Sequence, residues 1–160
     1  MKKLKLYLDT SVINFALADD INVEDREITK RLCREINEGK HNVLISEVVL
    51  REIRNTSDKS KRDKLVALVA SLRLEEPLMI DESIEVLAQK YVDEKIIPLS
   101  YWDDALHIAL ASASEADILV SWNFEHLVKH KTRVEVTGVN TLLGYKNIDI
   151  CTPWEVIENV

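Results

Sequence analysis

The chain has 160 residues, 46% of them hydrophobic and 31% charged, with a formal net charge of −7. That length and balance fit one globular domain over residues 1–160, built on a single core. The negative charge argues against a protein that coats nucleic acid through its overall field, though not against an enzyme that gathers carboxylates around metal ions and binds a phosphodiester there.

In chain order, residues 4–8 form a compact apolar run with Lys5 as its one charge, the pattern of a buried strand, and Asp9 ends it. A short helix is predicted over 11–17. Asn22 caps a longer helix over 23–38, with Ile28, Leu32 and Ile36 spaced by four and Gly39 as its stop. Residues 43–45 are a second short strand, after which Ser46 caps a helix that carries Glu52. Two amphipathic helices are expected over 59–72 and 82–95, the second capped by Asp81. Pro98 breaks the chain, and Ser100-Tyr-Trp-Asp103 reads as a capping box opening a helix that runs to about Glu115. A β-branched strand follows over 118–121, then helices over 125–129 and 133–143. The last elements are a strand over 148–151 and a capping box at Thr152-Pro153-Trp154-Glu155. Strands alternate with helices throughout, so a parallel sheet covered on both faces is predicted.

No apolar stretch reaches the length a bilayer needs, and the run after Met1-Lys2-Lys3 is too short for a signal-peptide core. A cytoplasmic protein without a membrane partner is expected. Cys33 and Cys151 match no metal-ligand spacing and sit in apolar patterns, as reduced core thiols do.

In an open parallel sheet the functional crevice lies beyond the carboxyl ends of the strands. The residues at those ends are Asp9 and Thr10, Ser46 and Glu47 with Glu52 about two turns on, and Ser121, Trp122 and Asn123. Asp103 and Asp104 open a helix whose preceding segment leads towards the same edge. Carboxylates gathered in one crevice repel one another, and a hard divalent cation relieves them; oxygen-only ligands favour magnesium or manganese over zinc. The glycines, Gly39, Gly138 and Gly144, build no phosphate loop and no dinucleotide fingerprint. Ser11 stands where a haloacid-dehalogenase-like phosphatase needs its second aspartate. His41, His107, His126 and His130 have no zinc spacing.

Four segments in order, Leu6-Tyr-Leu-Asp9-Thr-Ser-Val-Ile13, Ser46-Glu-Val-Val-Leu-Arg-Glu52, Asp104-Ala-Leu-His-Ile-Ala109 and Ile118-Leu-Val-Ser-Trp-Asn123, resemble the motifs of PIN domains. The resemblance implies a three-layer α/β/α fold with a central five-stranded parallel sheet. It implies Mg²⁺- or Mn²⁺-dependent cleavage of single-stranded RNA, and for many members the role of toxin in a toxin–antitoxin pair, dimeric and neutralised by a small antitoxin. Asp9, Glu52 and Asp104 match the three acidic positions most characteristic of the family, and are its expected metal ligands. The fourth position, usually aspartate, is Asn123 here. An amide can still ligate or orient a water, but it removes one negative charge and weakens a second metal site. One firmly held ion is therefore expected. A domain that has lost catalysis and serves as a binding or assembly module is the alternative, and a phosphatase of small substrates is a third reading.

Each residue also has a plainer role. Asp9 before Thr10-Ser11 fits a helix cap, and Glu52 on an amphipathic helix fits a solvent-facing residue. Asp103 is expected as the capping-box acid, and Asp117 as a turn residue at the opposite edge. His107, a turn beyond Asp104, reads as a hydrogen-bonded structural histidine. Trp102 and Trp122 flank the site and fit either base stacking or packing against helices, with packing the default. Arg51, Arg54, Lys59, Lys61, Arg62 and Lys64 fit either a basic rim for RNA or solvated helix faces.

Overall fold

The apolar run that opens the chain becomes the centre of the sheet. In the computed structural model, which describes residues 3–158, β1 (Leu4–Leu8) is flanked by β2 (His41–Leu44) on one side and β3 (Ile118–Val120) on the other. The last strand, β4 (Asp149–Cys151), pairs with β3, and every pairing is parallel. Leu6 stands opposite Val43 and Ile118, and Leu8 opposite Val120.

Because side chains alternate across a strand, β1 feeds two separate apolar layers. Tyr7, with Leu119 and Ile150, faces α5 (Glu82–Asp93), α6 (Trp102–Ala113) and α7 (His130–Leu143). Leu6 and Leu8, with Val43 and Val120, face α1 (Thr10–Leu17), α2 (Val23–Asn37), α4 (Lys59–Ser71) and α8 (Pro153–Glu158). The helix α3 (Glu47–Arg54) follows β2 and splits its apolar residues, Val48 going to the first layer and Val49 to the second. This is the expected α/β/α arrangement.

The caps read from the sequence form at four helices. Asp9, Asn22, Ser46 and Asp81 each accept a backbone N–H from the first turn of the helix they precede. Gly39 takes φ +75° after α2, the left-handed conformation that ends a helix.

Four expectations change. Among the described residues the sheet has four strands, not five. The segment after α4 runs beside β2, with Glu75 N–H donating to Val43 and Leu78 N–H to Ile45 (both 2.9 Å), yet only one isolated bridge forms, Ser46 with Leu78. Pro77 has no N–H to give there, so the ladder cannot continue. Second, no helix forms over 125–129. Asn123 captures the amides instead, its carbonyl accepting from Leu127 and Val128 and its side-chain oxygen from His126. Third, α7 then begins at His130, earlier than its apolar pattern indicated. Fourth, the Ser100 capping box is absent: Leu99–Tyr101 is a 3₁₀ turn, and α6 starts at Trp102 with no side-chain cap.

His41, at the start of β2, is 4% exposed, and neither ring nitrogen has a hydrogen-bond partner among the described residues. Burial holds its pKa below the usual histidine value; nearby Glu35 opposes that shift and Lys40 reinforces it. The unfolded chain therefore takes up this proton first, and stability falls as pH drops below about 6.5. Thermal melts of wild type and His41→Leu from pH 7 to pH 5 should show the variant gaining relative to wild type as pH falls. A pH-independent difference would contradict this.

Candidate active site

Parallel strands that end together deliver their next residues to one edge. Asp9 follows β1, Ser46 lies just past β2, and Ser121 follows β3. Asp9 is 3% exposed and its carboxylate is held from three sides. Its Oδ1 accepts from Ser11 Oγ at 2.5 Å and from the Val12 amide at 3.3 Å, and its Oδ2 accepts from Ser121 Oγ at 2.5 Å. The same serines tie β3 in place: Trp122 N–H donates to Ser11 Oγ, and Asn123 N–H to Ser121 Oγ. Asp9 is thus both the helix cap and the buried acid.

Glu52 reaches this edge from α3. Its Oε1 accepts from Thr10 Oγ1 at 2.8 Å and from His107 Nε2 at 2.9 Å. His107, 2% exposed, bonds the Tyr7 hydroxyl through Nδ1 at 2.7 Å, and Tyr7 in turn bonds Ser46 Oγ at 2.7 Å. A buried polar chain therefore runs from Ser46 to Glu52 beneath the crevice. Asp104, in the first turn of α6, has its Oδ2 held by His126 Nδ1 at 3.0 Å and by Asn123 Nδ2 at 3.2 Å.

The three acids share one electrostatic neighbour. Burial works against a charged His107, but the Glu52 hydrogen bond and the charges of Asp9, Glu52 and Asp104 raise its pKa above the ordinary value. Burial likewise raises Asp9 and Asp104, outweighing His107 and the donors on each. Glu52 goes the other way: burial pushes it up, but the His107 bond and charge, with Thr10, leave it below the usual glutamate range.

Glu52 and Asp104 open onto one cleft of about 360 Å³, lined also by Ser100, Tyr101, Trp102 and Asp103. Among the described residues no donor reaches Glu52 Oε2 or Asp104 Oδ1. Both carboxylates thus keep a free oxygen at this cleft, and an all-oxygen donor set of this kind suits a hard cation such as Mg²⁺ or Mn²⁺. Among the described residues, no three acidic, histidine or cysteine side chains enclose a point as a ready-made metal cage.

The structure brings Asp9, Glu52, Asp104 and Asn123 to the same edge, as the motifs implied. Asp103 departs from its expected role: with no capping box to close, it pairs with Arg51. Of the two tryptophans, Trp102 is half-buried and lines the cleft, while Trp122 packs. Trp122 is 4% exposed, stacks on Phe15 with centroids 4.9 Å apart and donates Nε1–H to Thr29. Asp117 lies at the far end of β3, where it accepts the Lys5 amide and pairs with Lys146. His126 and Tyr7 were not anticipated. The interval Asn123-x-x-His126 is the only local trace of the first, and Tyr7 is hidden in an ordinary strand pattern.

Residues 6–125 match the PIN domain, and the chain belongs to that family, whose members are generally nucleases that use divalent metals. In fold it is similar to the VapBC2 structure from Rickettsia felis bound to a DNA fragment from their promoter, with 15% identity, a TM-score of 0.58, and coverage of 93% of this chain and 98% of that one. The DNA-bound VapBC structure from Salmonella typhimurium gives 16%, 0.57, 94% and 98%. VapBC-5 from Mycobacterium tuberculosis, of the VapBC family of toxin-antitoxin systems, gives 16%, 0.51, 93% and 98%. No curated protein matches the sequence.

Because the folded pKa of Asp9 is raised, its ionised form costs stability once pH exceeds the unfolded value of about 3.9. Asp9→Asn removes that cost and keeps an oxygen for the Val12 amide. In a chelator at pH 7, Asp9→Asn should melt at or above the wild-type temperature. A clear drop would show that the carboxylate stabilises the fold.

Proposed function

We propose that this protein is a metal-dependent endoribonuclease that cleaves single-stranded RNA, acting as the toxin of a toxin–antitoxin pair. The observation that carries the reading is that Asp9, Glu52 and Asp104 stand at the carboxyl edge of the sheet, with Glu52 bonded to the buried His107 and with Glu52 and Asp104 lining one cleft. Asp9, Glu52 and Asp104 would hold Mg²⁺ or Mn²⁺. Such an ion, when bound, lowers the pKa of a water and neutralises charge developing on a phosphodiester. The chain's own residues set the geometry. Ser11 and Ser121 fix Asp9, Thr10 and His107 fix Glu52, and Asn123 with His126 fix Asp104.

The VapBC neighbours support a small antitoxin as partner, the family resemblance supports a homodimer, and the short apolar run after Met1-Lys2-Lys3 supports a cytoplasmic site of action. One observation favours a second reading, a binding module without catalysis. The Asn123 amide is engaged at both ends, by Asp104 and by the His126 amide, so the fourth position adds no carboxylate to the site.

Cleavage of a labelled RNA mixture with manganese, with chelator, and by Asp9→Asn separates the two. Wild-type cleavage should be abolished by chelator and fall at least about a hundredfold in the variant. No cleavage by folded wild type with manganese present would move the assignment to the binding module.

A further inference from the structure

The acidic cleft poses a problem for any polyanionic substrate. None of the side chains lining it is cationic, three of the six are carboxylates, and the nearby guanidinium of Arg51 is already paired with Asp103. With a net charge of −7, the chain also lacks the overall positive field that gives most nucleic-acid binders their affinity. If the cleft holds RNA, its lining side chains offer the phosphates no cationic contact, and affinity beyond that of a bound ion must come from the bases.

Two exposed aromatic rings, one lining the cleft and one on the turn that holds Asp104, supply an alternative. Tyr101 lines the cleft and is 46% exposed; its ring lies 4.0 Å, centroid to centroid, from that of His126, the residue holding Asp104. Phe124 follows Asn123 directly, is 58% exposed, and lies 6.2 Å from the buried ring of Trp122. A large apolar side chain left this open has no role in the core. Both end residues of the turn running from Asn123 to His126 contact Asp104; Phe124 stands within that turn, and Tyr101 lies against its last residue. Each is backed by another ring, so each presents a pre-positioned face. Trp122 is consumed in packing, and Trp102, half-buried in the same cleft, is less open than Tyr101 or Phe124.

We propose that Tyr101 and Phe124 are base-stacking residues for single-stranded nucleic acid, gripping the bases on either side of the phosphodiester at the acidic site. The inference rests on the ribonuclease reading and adds how the substrate is held. Stacking tolerates sequence, because every base has a π-face, and it needs an unpaired strand, since bases in a duplex are already stacked. It also depends little on salt.

The test is fluorescence anisotropy of the full chain with labelled oligouridylate and oligoadenylate in EDTA, with RNA cleavage in manganese followed in parallel. Wild type should bind both, and Phe124→Ala and Tyr101→Leu should each weaken binding about tenfold. Tyr101→Phe, which keeps the ring, should bind like wild type; this separates stacking from hydrogen bonding by the hydroxyl. The slope of log affinity against log salt should be shallower than about −2, fewer than about three phosphate contacts. Equal affinity in the alanine and leucine variants, a steep salt slope, or loss of binding in EDTA would overturn the inference. If cleavage survives in that case, the ribonuclease reading stands, and the exposed rings belong to a protein partner or a second copy of this chain. A wild type that neither binds nor cleaves would overturn both.

Discussion

Carboxylates crowded into a buried crevice are expensive, because desolvation and mutual repulsion both oppose their ionised forms. The upper edge of this sheet is organised around that cost. Asp9 is almost fully enclosed yet accepts hydrogen bonds from two serines and a backbone amide. Glu52 is matched by His107, and Asp104 by His126 and Asn123. His107 feels all three acids, and their charges with the Glu52 hydrogen bond outweigh its burial and raise its pKa above the ordinary histidine value. A divalent ion in the cleft would add to that compensation, and the free oxygens of Glu52 and Asp104 are where its donors would come from.

The scaffold makes this crowding possible at all. Parallel strands with right-handed crossovers finish at one edge, and every loop leaving that edge returns through a helix. The chain can therefore bring Asp9, Ser46 and Ser121 together although more than a hundred positions separate the first from the last. Glu52 and Asp104 arrive from helices on the two sides of Tyr7, and His107 bridges from Glu52 to that strand residue. The site is rigid beneath and open above. Its floor is a buried chain from Ser46 through Tyr7 and His107 to Glu52, while its mouth is a 3₁₀ turn and a loop carrying exposed rings.

The departure at Asn123 shows how one substitution is absorbed locally. In place of another negative charge, the amide donates to Asp104 and accepts from the His126 backbone. The His126 ring, three residues on, lies on Asp104. The fourth position thereby becomes a support for an acid rather than an acid.

Much of this architecture was legible in the residues. The run Leu4–Leu8 ending in Asp9, the caps at Asn22, Ser46 and Asp81, and the stop at Gly39 are local signals, because a cap or a left-handed turn depends on neighbours within one helical turn. The placement of Asp9, Glu52 and Asp104 at one edge followed from three of the four ordered motifs, which carry them. What the residues by themselves could not reveal depends on partners far along the chain. Pro77 stops a fifth strand only because the strand beside it needs a donor at that register. Asp103 is drawn to Arg51, 52 positions away, instead of capping its own helix. His126 finds Asp104 only once a turn replaces a helix, and Tyr7 reaches His107 across 100 positions of sequence. Local propensity decides where an element begins and ends. Packing alone decides which buried polar groups meet, because a group removed from water must take the partner that the fold places beside it.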